Sequence, residues 1–292
     1  MTTDINTKNV VAIGKFDGMH LGHQRLIKAA ADAAKQNNMK TLVYVIAPSG
    51  GKVLTDFHQK EFFMKSNGAD RIIKQDLNGQ FRALTPEQFV KNILINQLNA
   101  GHVAVGYNFR FGINRCGDVR TLANLCSECH IGLTVIAGVS AAGEPVSSTR
   151  IKKLLDDGKT EEAKECLGRY YSIGGCAAEG KHLGRKIGFP TVNLYPGESI
   201  YIPRFGVYAA KLYANGSEYN AVTNVGINPT VEDGKNIKIE SHILNYEGKS
   251  MYGSKVRLEF MEFVRPEIKF TDIDALKSQI EKDKKYVKNL FE

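Results

Sequence analysis

His20 and His23 stand in the string Gly14-Lys15-Phe16-Asp17-Gly18-Met19-His20-Leu21-Gly22-His23. Three residues apart, they share one face of a helical turn. An apolar run precedes them at 10–13, and residues 24–31 read as a helix. Strand, glycine-rich turn and helix start therefore follow in direct succession. The first turn of a helix has unpaired N–H groups and the positive end of the dipole, so this succession collects anions. Gly18 and Gly22 let the backbone come close to a ligand. The chemistry that fits is phosphate binding with two imidazoles aimed into the site. The plainer alternative is an ordinary βα turn whose histidines are solvated or capping.

Three further groups carry chemistry. Ser147-Ser148-Thr149-Arg150 opens an amphipathic helix with Ile151, Leu154 and Leu155. Hydroxyls there suit a helix cap, and hydroxyls beside an arginine also suit phosphate oxygens; local chemistry leaves the two readings level. The segment Gly180-Lys181-His182-Leu183-Gly184-Arg185-Lys186-Ile187-Gly188-Phe189-Pro190-Thr191-Val192-Asn193 reads either as a loop of turn residues or as a basic flap over phosphates. In the second reading the Thr191 and Asn193 oxygens lie near a hydrated Mg2+. Glu240, on an alternating strand, is a candidate base, although such strands often carry a solvated glutamate.

The elements that position these groups fall into two halves. Up to about residue 168, apolar strand segments at 10–13, 41–46, 68–73, 102–106 and 134–137 alternate with helices. That order predicts an open parallel sheet, a Rossmann-like nucleotide-binding α/β layer with ligands beyond the carboxyl ends of the strands. The histidine string and the loop at 107–112, with Asn108, lie at those ends. The helix after the histidines presents Leu26, Ala29, Ala30 and Ala33. Thr85, Pro86 and Gln88 spell a capped helix start. After residue 168 the pattern shifts to period two, with Asn215-Gly216 as a hairpin turn. Several antiparallel strands in that space predict a small closed barrel. A final helix begins near Asp272, capped by Thr271, with Ile273, Leu276, Ile280, Val287 and Leu290 on its packing side. The expected domains are 1–168 and 169–292.

Bulk properties bound the function. With 292 residues, 42% hydrophobic and 24% charged, the chain has the make-up of a globular protein of two domains. No apolar run approaches a membrane span, and the polar start lacks a signal-peptide core, which points to the cytoplasm. The net charge of +8 is spread without a basic tail or a dense cationic helix. Anionic nucleotides are therefore the expected partners, and nucleic acid and membrane are not. Five cysteines, Cys116, Cys126, Cys129, Cys166 and Cys176, are an odd number and read as reduced thiols. Cys126-Ser127-Glu128-Cys129-His130 has haem-attachment spacing, but without an export signal or a second pair it reads as buried or half-buried helix thiols.

In order along the chain, the segments GKFDGMHLGH, GYNFRFG, SSTRI, LGRYY, GKHLGRKIGFPTVNL, FGVY, NVGINPT and IESHIL resemble the prokaryotic bifunctional riboflavin kinase/FMN adenylyltransferase family, also called FAD synthetase. The resemblance implies two sequential reactions. Riboflavin and ATP give FMN in the C-terminal module, and FMN and ATP give FAD and pyrophosphate in the N-terminal one. It implies that His20 and His23 stabilise charge at the α-phosphorus, and that Ser148 and Arg150 hold the leaving phosphates, with Thr149 between them in the nucleotide-binding set. Gly14, Phe16, Asp17, Gly18 and Gly22 shape the nucleotide turn, and Asn108 lies in a closing loop. In the C-terminal module it implies a flap with Gly180, Lys181, Gly184, Arg185 and Pro190. Thr191 and Asn193 coordinate Mg2+ and phosphate there, and Glu240 accepts the ribityl hydroxyl proton. Two departures stand out. After its second strand the family commonly has a segment resembling DPHP, where this chain has Ala47-Pro48-Ser49-Gly50, so Ser49 takes the place of a histidine. Lys52 or Lys15 is then the expected substitute cation. Tyr170 stands where the family often has proline. Two alternatives remain open: a chain with one dominant activity, and a flavin-binding regulatory protein with vestigial sites.

Overall fold

The computed structural model describes residues 7–47, 50–178, 191–227, 237–246 and 251–292. It divides into two compact units, Met1–Ser148 and Thr149–Glu292. The boundary falls before the compositional shift near Gly168, so the helices at 148–167 fall almost wholly within the second unit.

The first unit is a five-stranded parallel sheet in the order β3-β2-β1-β4-β5. Its strands are β1 (Asn9–Gly14), β2 (Lys40–Ala47), β3 (Arg71–Asp76), β4 (Ala100–Gly106) and β5 (Gly132–Ile136). Alternation along β1 builds two cores. Val10 and Ala12 face one side with Leu26, Ile27 and Ala30 of helix α1 (Leu21–Gln36) and Met64 of helix α2 (Phe57–Ser66). Val11 and Ile13 face the other side with Phe89, Leu94, Leu122 and Cys126. Thr41 to Val45 of β2 are all buried, as a parallel strand covered on both faces requires. The buried stripe of α1 is Leu26, Ile27, Ala30, Ala31 and Ala34, rotated from the expected one; Ala29 and Ala33 lie at its margin. β3 begins three residues later than its apolar pattern suggests, because Asp70 accepts a hydrogen bond from the Thr41 N–H in the preceding turn.

Thr85 and Gln88 form the expected capping box on the short helix Pro86–Gln88. The chain then continues as a π-helix, Phe89–Gln97. Helix Val119–Glu128 buries Cys126, but Cys129 caps it in solvent, against the buried or half-buried expectation.

The second unit begins with helices Ser148–Asp156 and Thr160–Leu167. They rest on the barrel through Thr160, whose hydroxyl donates to the Met261 carbonyl at 2.7 Å. The barrel is closed, in the order β10-β11-β12-β9-β8-β13. The small hairpin Ser140–Ala141 (β6) with Glu144–Pro145 (β7) precedes it. Barrel strands are β8 (Tyr171–Ala178), β9 (Thr191–Leu194), β10 (Gly206–Ala214), β11 (Ser217–Ile227), β12 (Ile237–Ile243) and β13 (Lys255–Arg265). Asn215 and Gly216 both have positive φ, which the type I′ turn demands. Tyr208, Ala210, Leu212, Ala221, Val225, Ile239, Leu258 and Phe260 fill the interior. The C-terminal helix, Ile273–Phe291, covers Val207, Ala209 and Val222 with Val287. Its cap is Asp272 rather than Thr271: Asp272 Oδ1 accepts the Ala275 N–H, and the Thr271 hydroxyl donates to the same carboxylate. Ile273 and Leu290 are exposed, so the packing side is narrower than expected. Asp283 is buried on this helix instead, paired with Arg265 of β13 at 2.7 Å.

Candidate functional site

In the first unit the sheet order reverses between β1 and β4, which opens a crevice beyond their carboxyl ends. β1 ends at Gly14, against the ring of Phe16: a Cβ on Gly14 would meet that ring at 3.3 Å. Phe16 is fully buried in a left-handed conformation, and Gly18 also has positive φ. These two residues turn the chain so that α1 starts directly below the strand end. His20 is the residue before α1, with extended backbone, and Gln24 N–H bonds its carbonyl. His23 is in the first turn. The two rings stack, with centroids 3.6 Å apart and 18° between planes. Phe16 lies 5.3 Å from the His23 ring on a tilted axis. A Cβ on Gly22 would come within 3.2 Å of the His20 ring, so the glycine makes room for the stack.

Asp17 accepts the Leu54 N–H at 2.8 Å, and Gly18 N–H donates to Thr55 Oγ1 at 3.2 Å. The segment before α2 is thereby tied to the histidine turn. The Ser148 hydroxyl donates to the Asp17 carbonyl at 2.8 Å, which brings the first residue of the Ser-Thr-Arg group to the same turn. Thr149 and Arg150 continue the helix into the second unit. Asn108 is exposed in the turn after β4, near Gly106 at the carboxyl end.

The electrostatics are unusual for a histidine pair. The His23 Nδ1 is buried with no hydrogen-bond partner among the described residues. Burial, the His20 ring and the charge of Lys60 together hold the His23 imidazole well below its ordinary range. A neutral imidazole keeps one N–H, so His23 offers a donor rather than a cation near neutral pH. Lys60 is only 5% exposed. Lys15 and Lys52, the cations expected from the sequence, are both exposed. Lys60 was hidden from sequence reasoning because α2 has no clean apolar stripe. The available signal was its position four residues before Met64, the other buried residue of that helix. Ser49 lies outside the described residues.

In the second unit strand register makes the site. Val207, Asn224, Glu240, Asn193 and Ala178 form one row across five neighbouring strands. The row faces away from the barrel interior, where Thr223 and Ser241 instead share a hydrogen bond. Glu240 thus stands between Asn224 and Asn193. Lys238, two residues along β12, pairs with Glu240 Oε1 at 2.6 Å. Asn193 is 3% exposed, and its Oδ1 is buried without a partner among the described residues. A buried acceptor without a donor is costly unless something fills the position. Thr191 is half-buried in the next row, opposite His242. Gly180, Lys181, Gly184, Arg185 and Pro190 lie outside the described residues. Sequence reasoning missed Asn224 and Lys238; only the register puts them beside Glu240.

Comparison with known proteins agrees with this division. The FAD synthetase family model matches residues 2–150, and the riboflavin kinase model matches 167–291. A bifunctional riboflavin kinase/FMN adenylyltransferase of Listeria monocytogenes is 34% identical, over 99% of this chain and 94% of its own. The protein of that description from Bacillus subtilis is 32% identical, over 97% and 94%. The one from Escherichia coli is 30% identical, over 97% and 92%. A crystal structure described as a macrolide-efflux protein of Streptococcus pneumoniae superposes with a TM-score of 0.87. It is 27% identical, over 97% of this chain and 95% of that one. Among the described residues, no helix is long and apolar enough to cross a membrane. Matched at both ends by its two family models and nearly end to end by curated relatives, the chain belongs to the bifunctional riboflavin kinase/FMN adenylyltransferase family, enzymes that make FAD by way of FMN.

Proposed function

We propose that the two reactions run at two separate polar clusters, FMN adenylylation at the histidine turn and riboflavin phosphorylation at the Glu240 row. The functional modules are 1–168 and 169–292. The observation that carries this reading is the stacked His20–His23 pair at the start of α1, in the crevice where the sheet order reverses.

In adenylylation an FMN phosphate oxygen forms a bond to the α-phosphorus of ATP. The bond from that phosphorus to the β-phosphate bridge breaks, and the electron pair leaves on pyrophosphate. Charge grows on the α-phosphoryl oxygens and on the leaving group. His20 and His23 donate N–H bonds to those oxygens, and the open N–H groups of α1 add to them. Gly14, Phe16, Asp17, Gly18 and Gly22 hold the turn in shape, and Asn108 closes over the substrates. Ser148 braces the turn through Asp17, with Thr149 and Arg150 beside the leaving phosphates.

In riboflavin phosphorylation Glu240 accepts the proton of the ribityl 5′-hydroxyl as its oxygen attacks the γ-phosphorus of ATP. ADP leaves with the electron pair. The unpartnered Asn193 Oδ1 and the Thr191 hydroxyl are hard oxygen donors, which fit Mg2+. When bound, that ion neutralises phosphate charge. The flap with Gly180, Lys181, Gly184, Arg185 and Pro190 covers the phosphates. ATP and flavins are the small-molecule partners, and the cytoplasm is the compartment.

The test supplies ATP and Mg2+ with either riboflavin or FMN and separates the flavins by chromatography. Glu240→Ala is expected to stop FMN formation and spare FAD formation from supplied FMN. His23→Ala is expected to do the reverse. Either variant losing both activities in a folded protein would refute the separation of the sites.

A further inference from the structure

The Glu240 side chain is held from its own strand. Successive strand residues point to opposite faces, so Lys238 and Glu240 share one face of β12. The Lys238 ammonium donates to Glu240 Oε1 at 2.6 Å, a short charge-assisted bond. The two ends of this pair differ in exposure. The Lys238 side chain is 15% exposed, and that of Glu240 is 38% exposed. An ordinary solvated pair on a strand face leaves both ends in water and contributes little to stability. Here the cation is the sheltered end, and the carboxylate is the end that reaches outward.

A second carboxylate comes to the same ladder. Lys238 pairs in register with Gly226 of β11. The space over Gly226 is taken by Glu267, from the segment after β13: a Cβ on Gly226 would collide with its carboxylate. Lys238 nevertheless bonds along its own strand, to Glu240. Across the strands Glu240 stands between Asn224 and Asn193. The carboxylate is thus bounded by neighbouring strands on both sides, and the lysine engages one of its two oxygens.

We propose that Lys238 is a positioning residue for riboflavin phosphorylation: by holding Glu240 Oε1 it aims Oε2 at the ribityl hydroxyl. The inference rests on Glu240 being the base of that reaction. A glutamate has several side-chain torsions to fix, and an unheld carboxylate spends much of its time away from the hydroxyl. The bond to Oε1 removes that freedom before substrate arrives. The proton of the 5′-hydroxyl passes to Oε2 as the hydroxyl oxygen bonds to the γ-phosphorus and ADP leaves with the electron pair. Lys238 takes no part in the proton transfer; it touches the base and not the reacting atoms.

The test uses the full chain with Lys238→Met, which keeps the stem and removes the ammonium, and Lys238→Arg, which keeps a charged donor. Lys238→Met is also combined with Glu240→Gln. FMN formation is measured against ATP and riboflavin concentration, with FAD formation from supplied FMN and thermal melting as controls. Lys238→Met is expected to lower kcat for FMN formation by about tenfold with both KM values unchanged. Lys238→Arg retains most of kcat. Added to Glu240→Gln, Lys238→Met is expected to cost nothing further, because no base is left to aim. FAD formation is unchanged in every variant. Full kcat in a folded Lys238→Met would overturn the proposal, as would a loss that persists in the Glu240→Gln background. A raised KM for ATP at unchanged kcat would also overturn it and assign Lys238 to the phosphates instead. If Lys238→Met melts early, Lys238→Arg decides: retained kcat supports the held carboxylate, and a loss like that of Lys238→Met refutes it. Glu240→Gln forming FMN at the full rate would instead sink the assignment of the base.

Discussion

At the histidine turn, polar side chains come from helix starts and are packed inward. At the Glu240 row they come from mid-strand positions and are spaced by the sheet. The first arrangement brings the imidazoles to 3.6 Å, where burial and neighbouring charge hold His23 below its ordinary range. The second leaves side chains about 5 Å apart, as cross-strand neighbours are. There a Lys238–Glu240 ion pair and an unpartnered Asn193 oxygen coexist. Helix starts give a site backbone donors and a tuned charge; a strand row gives it separate oxygens at fixed intervals. The first suits a reaction whose demand is stabilising charge on phosphorus, and the second one that must also take a proton and hold a cation.

The largest effect that would sharpen this contrast belongs to Glu240. Glu240→Gln is expected to lower the rate of FMN formation by about 1000-fold, since no base remains. An assay of riboflavin phosphorylation checks it, and a loss under tenfold breaks the assignment. His23→Gln is expected to cost about 100-fold in FAD formation and leave FMN formation intact. Asn193→Ala should raise the Mg2+ needed for half-maximal phosphorylation by about tenfold. Its melting temperature is expected to hold or rise, because a buried acceptor without a donor is removed. A clear destabilisation would mean that Asn193 is structural.

The smallest effect separates the regions by pH. The His23 imidazole has a lower pKa folded than its ordinary 6.5, so the unfolded chain binds the proton first. The stability that His23 contributes is full above about pH 6.5 and is lost as pH falls toward the folded value. His102, depressed by burial, acts with the same sign. Melting of the first unit should therefore fall with acid below that point, and His23→Gln should flatten part of the slope. An unchanged slope would contradict a buried neutral His23.

Much of this was readable in the residues because the signals were local. The histidine string, the capping box at Thr85 and the Asn-Gly turn each need only a few neighbouring residues. The parallel sheet and the barrel followed from period and order. What escaped depends on distant contacts. The segment before α2 meets the histidine turn through the Leu54–Asp17 and Gly18–Thr55 hydrogen bonds, and Asn224 meets Glu240 through register alone. The Asp272 cap was missed because Thr271 is an equally good cap by type; only the Ala275 N–H distinguishes them. Cys129 was misplaced because helix periodicity says nothing of where the last turn meets solvent.

The closed barrel and the open sheet also differ in what they present to other chains. Among the described residues every strand of the barrel has neighbours on both sides, which limits the free edge that could template β-pairing. The five-stranded sheet ends in β3 and β5, and β3 carries Arg71, Lys74 and Asp76 at exposed positions, with Lys74 and Asp76 paired at 3.2 Å. Charges along an edge strand keep it from adding a strand from a second molecule. In the first unit, therefore, the charges of β3 do at that edge what ring closure does for the barrel strands.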